Sequence, residues 1–171
     1  MGIFSKLFHA TPKEELIGIK LNIDEPFWEV EGETDFPSLL NALKDLVDED
    51  SILYFEGGSP RGALLDFFKT NSIAEQTHVA VGTIWPRPAY YHIPATTYNL
   101  TKLSELAKAI AAPELAVHFH IYRKGEVLLE WHDAFTQPML LSGNFHADKI
   151  KPFADTLKMK IKKWNNAREE A

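Results

Sequence analysis

The chain has 171 residues, a formal net charge of −6, 45% hydrophobic residues and no cysteine. This length suits a single core, so we predict that residues 1–171 form one domain. Aromatic residues make up 12% of the chain, which argues against intrinsic disorder. The absence of cysteine excludes disulfides, thiolate metal ligands and cysteine nucleophiles.

No apolar run approaches the roughly 18 residues that a membrane span needs, and no cleavable leader is evident at the amino terminus. The sequence therefore predicts a cytoplasmic protein that does not contact a membrane. Residues 1–12 are expected to form a short amphipathic helix or arm that docks on the domain. Residues 165–171 are expected to form a frayed tail.

The first third of the chain predicts a hairpin followed by a helix. Residues 16–23 and 27–31 alternate apolar and polar residues around an Asp-Glu-Pro turn. Thr34 or Asp35 can cap the helix, with Pro37 in its first turn. The helix then carries an apolar stripe at helical spacing, made of Phe36, Leu39, Leu40, Leu43 and Val47.

The middle of the chain predicts three strands and two helices. Residues 51–55 form a strand, and a helix capped by Ser59 follows the adjacent Gly-Gly turn. Residues 78–85 and 89–93 are strand candidates separated by a Pro-Arg-Pro sequence. Asn99 is expected to cap a third helix.

The second half predicts a hairpin and a final helix. Residues 115–122 and 127–132 are strands that flank a two-residue turn at Lys124 and Gly125. The final helix is expected to have Pro152 near its first turn. Its apolar stripe recurs every three or four residues and consists of Ile150, Phe153, Leu157, Ile161 and Trp164.

This order of elements mixes hairpins with crossover connections, which is typical of an α+β fold. We predict one domain with a largely antiparallel or mixed β-sheet covered by about four α-helices. A doubly wound α/β fold is disfavoured because hairpins interrupt the middle of the chain.

Acidic residues are concentrated towards the amino-terminal end. Residues 24–56 hold eleven acidic residues and a single basic one, Lys44. Such a field speeds association with a basic partner and repels nucleic acid. The pattern favours a non-enzymatic cytosolic interaction protein, of the inhibitor or immunity type, that binds a basic protein; the alternative is an ordinary solvated face. The contact residues would be Glu29, Glu31, Glu33, Asp48, Glu49 and Asp50, extended by Trp85, Arg87 and Tyr90.

Two histidines on the predicted hairpin raise the question of a metal site. His118 and His120 alternate along one strand and therefore share a face. With a regular hairpin, His118 lies opposite Trp131 and His120 opposite Leu129, so no carboxylate of the hairpin joins them. A metal needs three or more donors, so a structural role is predicted for this pair.

Glu130 and His132 are expected on the opposite face, followed by Asp133. A carboxylate next to an imidazole can act as general acid and base or bind a metal. The second functional hypothesis is thus a metal-dependent hydrolase or a small-ligand-binding protein. Its candidate residues are His118, His120, Glu130, His132 and Asp133. The sequence assigns no catalytic residue and no cofactor, and it favours a non-enzymatic role.

The glycine-rich loop at residues 57–62 is a weaker candidate. Ser59 and Arg61 lie between a predicted strand and a predicted helix, where backbone amides and the guanidinium can hold an anion. The loop matches neither nucleotide-binding fingerprint. Helix capping by Ser59 explains it equally well.

Overall fold

Seven strands form one antiparallel sheet, with five helices, in the residues that the computed structural model describes, 18–80, 88–134 and 136–166. The strands are β1 (Phe27–Glu31), β2 (Ile52–Glu56), β3 (Tyr90–Pro94), β4 (His118–Arg123), β5 (Glu126–Trp131), β6 (Met139–Ser142) and β7 (Lys160–Trp164). The helices are α1 (Phe36–Leu46), α2 (Gly62–Asn71), α3 (Thr97–Ala107), α4 (Ala112–Leu115) and α5 (Ala147–Leu157).

The strand order across the sheet is β3-β2-β4-β5-β6-β1-β7. The β4–β5 hairpin is thus in the interior of the sheet, and β3 and β7 are its edges. The predicted α+β fold with an antiparallel sheet is confirmed, and the short helix α4 brings the helix count slightly above four. The strand β6 has only four residues and carries no alternation that the sequence could reveal.

The main core lies between the helices and one face of the sheet. Phe36 of α1 contacts the rings of Phe119 and Trp131, with centroids 5.9 and 6.0 Å apart. Ile121 and Leu129, on the same face of the central hairpin, are fully buried. Each such side chain stabilises the fold by about 1.5–3 kcal/mol through burial.

A smaller apolar cluster covers part of the opposite face. It consists of Leu21, Phe27, Ile52, Tyr54, Val79, Tyr122 and Val127. The chain near residue 20 reaches this face through a parallel bridge between Ile19 and Val79. Polar groups on this second face are therefore partly removed from water, which makes their hydrogen bonding energetically important.

Helix α1 and the β4–β5 turn form as the sequence predicts. The carboxylate of Asp35 accepts a hydrogen bond from the Ser38 N–H at 2.7 Å, which is a standard N-cap. Pro37 lies in the first turn. Lys124 and Gly125 have φ values of 50° and 81°, as a two-residue hairpin turn requires.

The predicted hairpin of residues 16–23 with 27–31 is wrong. Among residues 18–23, Ile19 forms only an isolated bridge. Strand β1 instead pairs with β6 on one side and β7 on the other, so both of its hydrogen-bonding edges are occupied. Alternation identifies a strand, but it does not identify the strand's partner.

The predicted continuous carboxy-terminal helix is also wrong. Helix α5 ends at Leu157, and Lys158 adopts a left-handed conformation with φ 57°. Ile161 and Trp164 belong to the edge strand β7. Pro152 lies inside the helix, because α5 begins at Ala147. A helical spacing of apolar residues continued across the helix end by coincidence.

Two predicted helix starts are displaced. Helix α2 begins at Gly62 after Arg61, so Ser59 does not cap it. Thr96 caps α3 by accepting from the Asn99 N–H, which places Asn99 inside the helix. In the described ranges, no helix combines the length and apolar character needed to cross a membrane. The predicted arm at residues 1–12 lies outside the described residues.

Candidate metal centre

A β-bulge interrupts the register of the β4–β5 hairpin. Tyr122 pairs with Val127, whereas Ile121 pairs with Leu129, so Leu128 is an extra residue in β5. The extra residue reverses the alternation of β5 from this point onward. Val127 contributes to the second-face cluster, while Leu129 belongs to the main core.

The bulge corrects the predicted register and brings the hairpin's polar residues together. His120 lies opposite Glu130 rather than opposite Leu129. Because directly opposite residues share a face, Glu130 joins His118 and His120. His132 lies on the same side, with its ring centroid 5.3 Å from that of His118 and 4.8 Å from that of His120. The prediction that no carboxylate joins the histidine face is therefore wrong.

His120, Glu130 and His132 bring their donor atoms close enough together to hold a metal ion. One donor atom from each lies within 4.8 Å of the other two. The His132 Nε2 is 2.9 Å from Glu130 Oε1, and Glu130 Oε2 accepts a hydrogen bond of 2.7 Å from the Leu21 N–H. A backbone donor thus orients the carboxylate and leaves Oε1 directed at the histidine. Such orientation by outer groups is typical of metal ligands.

His120 is the most constrained member of this group. Its side chain is 1% exposed, and neither ring nitrogen has a hydrogen-bond partner among the described residues. Burial lowers its pKa to about 3, so the ring is neutral at physiological pH. Tyr54 packs beside it with ring centroids 5.6 Å apart. A neutral imidazole with an unengaged lone pair is the form that binds metal ions.

Glu130 and His132 stabilise each other's charged forms. Burial tends to raise the pKa of Glu130, but the hydrogen bonds from His132 and from the Leu21 N–H outweigh it and hold the pKa below its usual value. The hydrogen bond to Glu130 raises the pKa of His132. The His132 side chain is 44% exposed. The group is therefore buried at His120 and open to solvent at His132.

His118 and Asp133 adjoin the group in a different way. The Asp133 N–H donates a hydrogen bond of 3.1 Å to His118 Nδ1. Burial lowers the pKa of His118. Across the ladder, His118 lies opposite Glu56 of β2, a carboxylate that is fully buried. The Asp133 side chain belongs to an exposed residue.

The polar face extends beyond the residues that the sequence identified. The Tyr54 hydroxyl donates to Glu56 Oε2 at 2.9 Å, and burial raises the pKa of Tyr54. His92 of β3 lies opposite Tyr54, and its Nδ1 is 3.0 Å from the Tyr122 hydroxyl. These residues are far apart in sequence and fall within apolar strands. Only the pairing of β2 with β3 and β4 places them together.

The predicted acidic surface is interleaved with basic side chains. Glu29 lies directly opposite Lys162 and Glu31 directly opposite Lys160, because β7 is the neighbour of β1. Glu33 is exposed between β1 and α1. Opposite charges at facing positions neutralise much of the local field.

The loop before β2 shows the same compensation. Arg123 forms ion pairs with Asp48 and Asp50, and Lys124 lies 3.2 Å from Asp50. Glu49 accepts hydrogen bonds from the N–H and hydroxyl of Thr97. These contacts suit an ordinary solvated face. Binding of a basic partner through this surface stays a prediction.

The remaining candidates do not converge on one site. Trp85 and Arg87 lie outside the described residues, and Tyr90 is a 41%-exposed residue of the edge strand β3. The Ser59 N–H donates to the Glu114 carbonyl, and Arg61 precedes α2 without a side-chain cap. These backbone contacts give the glycine loop a structural role.

No protein-family model matches the chain, and neither the curated proteins nor the solved structures include a significant match. The fold alone does not identify the chemistry of this protein, because a fold does not determine function. The group formed by His120, Glu130 and His132 is the only such three-donor cluster in the described residues.

Proposed function

We propose that the protein binds a divalent transition-metal ion through His120, Glu130 and His132, and that this centre carries its function. The observation that supports the proposal most directly is the state of His120. Both of its nitrogens are buried and unpaired among the described residues, and one of them lies within 4.8 Å of donors from the other two residues.

A purely structural histidine explains this geometry poorly. A buried polar group without a partner lowers the stability of the fold by about 1–3 kcal/mol, and an apolar residue at the same position would avoid that cost. A bound metal ion would engage the lone pair of His120 and replace the proton between His132 and Glu130. The bulge that aligns these residues is a device found often beside functional sites.

The donor set indicates the class of metal. Imidazole nitrogens suit zinc, iron, copper and nickel, whereas calcium and magnesium prefer sites made of oxygen. Two histidines and one carboxylate occur in zinc hydrolases and in non-haem iron enzymes. A metal held this way makes a bound water more acidic, so hydrolysis is the reaction that we propose for the site. The proposal therefore favours the metal-dependent hydrolase over the protein that binds a basic partner through its acidic surface.

Metal titration of tag-free protein tests the proposal. Isothermal titration with Zn²⁺, repeated with Fe²⁺ under anaerobic conditions, should give one site per chain for the parent protein. His120→Ala and Glu130→Gln should abolish that site. His146→Ala is the matched control, because His146 is exposed and lies outside the donor group. Equal binding by all three variants, or none by the parent, would overturn the proposal.

A further inference from the structure

His118 shares the face of the metal-binding candidates, but one of its ring nitrogens is already engaged by the backbone. Its Nδ1 accepts a hydrogen bond from the Asp133 N–H. A ring nitrogen that accepts an N–H has its lone pair engaged and carries no proton, so the neutral ring holds its proton on Nε2. Neither nitrogen then offers a lone pair to a cation. Consistently, His118 is not part of the three-residue donor group.

The backbone after β5 holds this arrangement in place. Asp133 has a φ of 42°, a left-handed conformation that aspartate tolerates better than most residues. The Ala134 N–H donates to the Val117 carbonyl, and the Thr136 N–H donates to the Asp133 carbonyl. The turn is therefore fixed on both sides, with the Asp133 N–H directed at His118.

Resting on the proposed metal site, we infer that the centre is open: three protein ligands, with His118 outside the coordination shell and a remaining position taken by an oxygen-donor ligand from solution. Closed structural zinc sites have four protein ligands, whereas catalytic sites have three and keep one position for water or substrate. The 44% exposure of the His132 side chain gives that position a route to solvent. The ligand class is a small molecule that presents a carboxylate, hydroxamate or similar oxygen.

Cobalt substitution tests whether the site is open. The Co²⁺-loaded full-length protein is titrated with acetohydroxamate, and its visible absorption bands are recorded. An open centre should show a saturable change in band position and intensity while the cobalt content after dialysis stays constant. A closed four-ligand centre should show an unaltered spectrum, which would overturn the inference.

Substitution of His118 supplies an independent measurement. His118→Gln keeps an acceptor for the Asp133 N–H, so the fold should be retained. Its zinc affinity should fall by about tenfold at most, the lower end of the range of roughly 10- to 100-fold for an outer group. His120→Ala should lose more than about a hundredfold, which corresponds to about 2.7 kcal/mol. Equal losses in the two variants would make His118 a ligand and overturn the inference.

Long-range ¹⁵N–¹H NMR of the histidine rings reads the protonation state directly. The His118 Nε2 proton should persist when zinc is added, while one nitrogen each of His120 and His132 should take the shift of a coordinated nitrogen. Coordination of His118 would overturn the open centre alone. Failure of the parent protein to bind zinc or cobalt would instead overturn the proposed function, and the inference with it.

Discussion

Replacing His120 by leucine should stabilise the metal-free protein while it abolishes metal binding. The two side chains are similar in size, so the substitution leaves little cavity and forces little overpacking. It removes two buried nitrogens that have no partner among the described residues. Their burial costs about 1–3 kcal/mol, and the free energy of unfolding should rise by about that amount. For a chain of this size, the melting temperature should rise by roughly 2–4 °C per kcal/mol.

The difference in unfolding free energy between His120→Leu and the parent protein should increase at acidic pH. Burial lowers the pKa of His120 from 6.5 to about 3, so the unfolded chain binds a proton on this ring at a higher pH than the folded chain does. Protonation of His120 therefore causes no loss of stability above pH 6.5, and it lowers the free energy of unfolding progressively as the pH falls from 6.5 towards 3. At about pH 5 the loss from this group is about 2 kcal/mol, and the leucine variant should not suffer it.

Urea unfolding in the presence of a chelator, at neutral pH and at about pH 5, measures both effects. His118→Leu is the matched control on the same strand and face. It should destabilise the protein, because it leaves the Asp133 N–H without its acceptor. The threshold for refuting the prediction is about 1 kcal/mol, the lower end of the cost of an unpaired buried polar group. If His120→Leu destabilises the protein by that amount or more, the nitrogens of His120 have partners and the prediction is wrong.

Four further predictions concern the fold and its surface. Leu157→Ala should lower the unfolding free energy by about 2–5 kcal/mol in urea titrations, because Leu157 lies on the buried face of α5. A loss well below this range would contradict that packing. Deletion of Leu128 should remove the bulge and leave a regular hairpin in which Leu129 still pairs with Ile121 and Glu130 with His120, so circular dichroism should show a folded chain, and an unfolded product would contradict the register. Glu29→Lys should destabilise slightly, by about 0.2–1 kcal/mol, and the added Lys162→Glu exchange should restore stability because the two residues face each other. If the acidic surface binds a basic partner, surface plasmon resonance should show slower association for Glu29→Lys alone, whereas an unchanged rate would count against that surface.

Local sequence patterns predicted the elements whose signals lie within a few residues. Helix α1 follows from the Asp35 cap, Pro37 and its apolar stripe, and the central turn follows from Lys124 and Gly125. The same local signals misjudged α5, because the spacing of Ile161 continued the helical stripe beyond the left-handed Lys158. Periodicity reports which residues are buried, and a strand can bury the same residues as a helix.

The candidate site divides in the same way. The sequence identified His118, His120, Glu130 and His132 as chemically interesting, since these residue types are clustered within one short hairpin. It placed them on two opposite faces, because a regular hairpin alternates without interruption. One extra residue in β5 reverses that alternation, and no residue type in β5 indicates from the sequence that a bulge forms there.

The sequence alone thus determined that the central hairpin forms and that it carries residue types able to bind a metal. Only the tertiary structure determined the rest. The bulge places Glu130 on the face of His120, the Leu21 N–H orients the Glu130 carboxylate, and the Asp133 N–H engages His118 Nδ1. These decisions depend on hydrogen bonds between residues up to 109 positions apart. Local propensities carry no information about such pairings, because their energies arise only when the whole sheet has assembled.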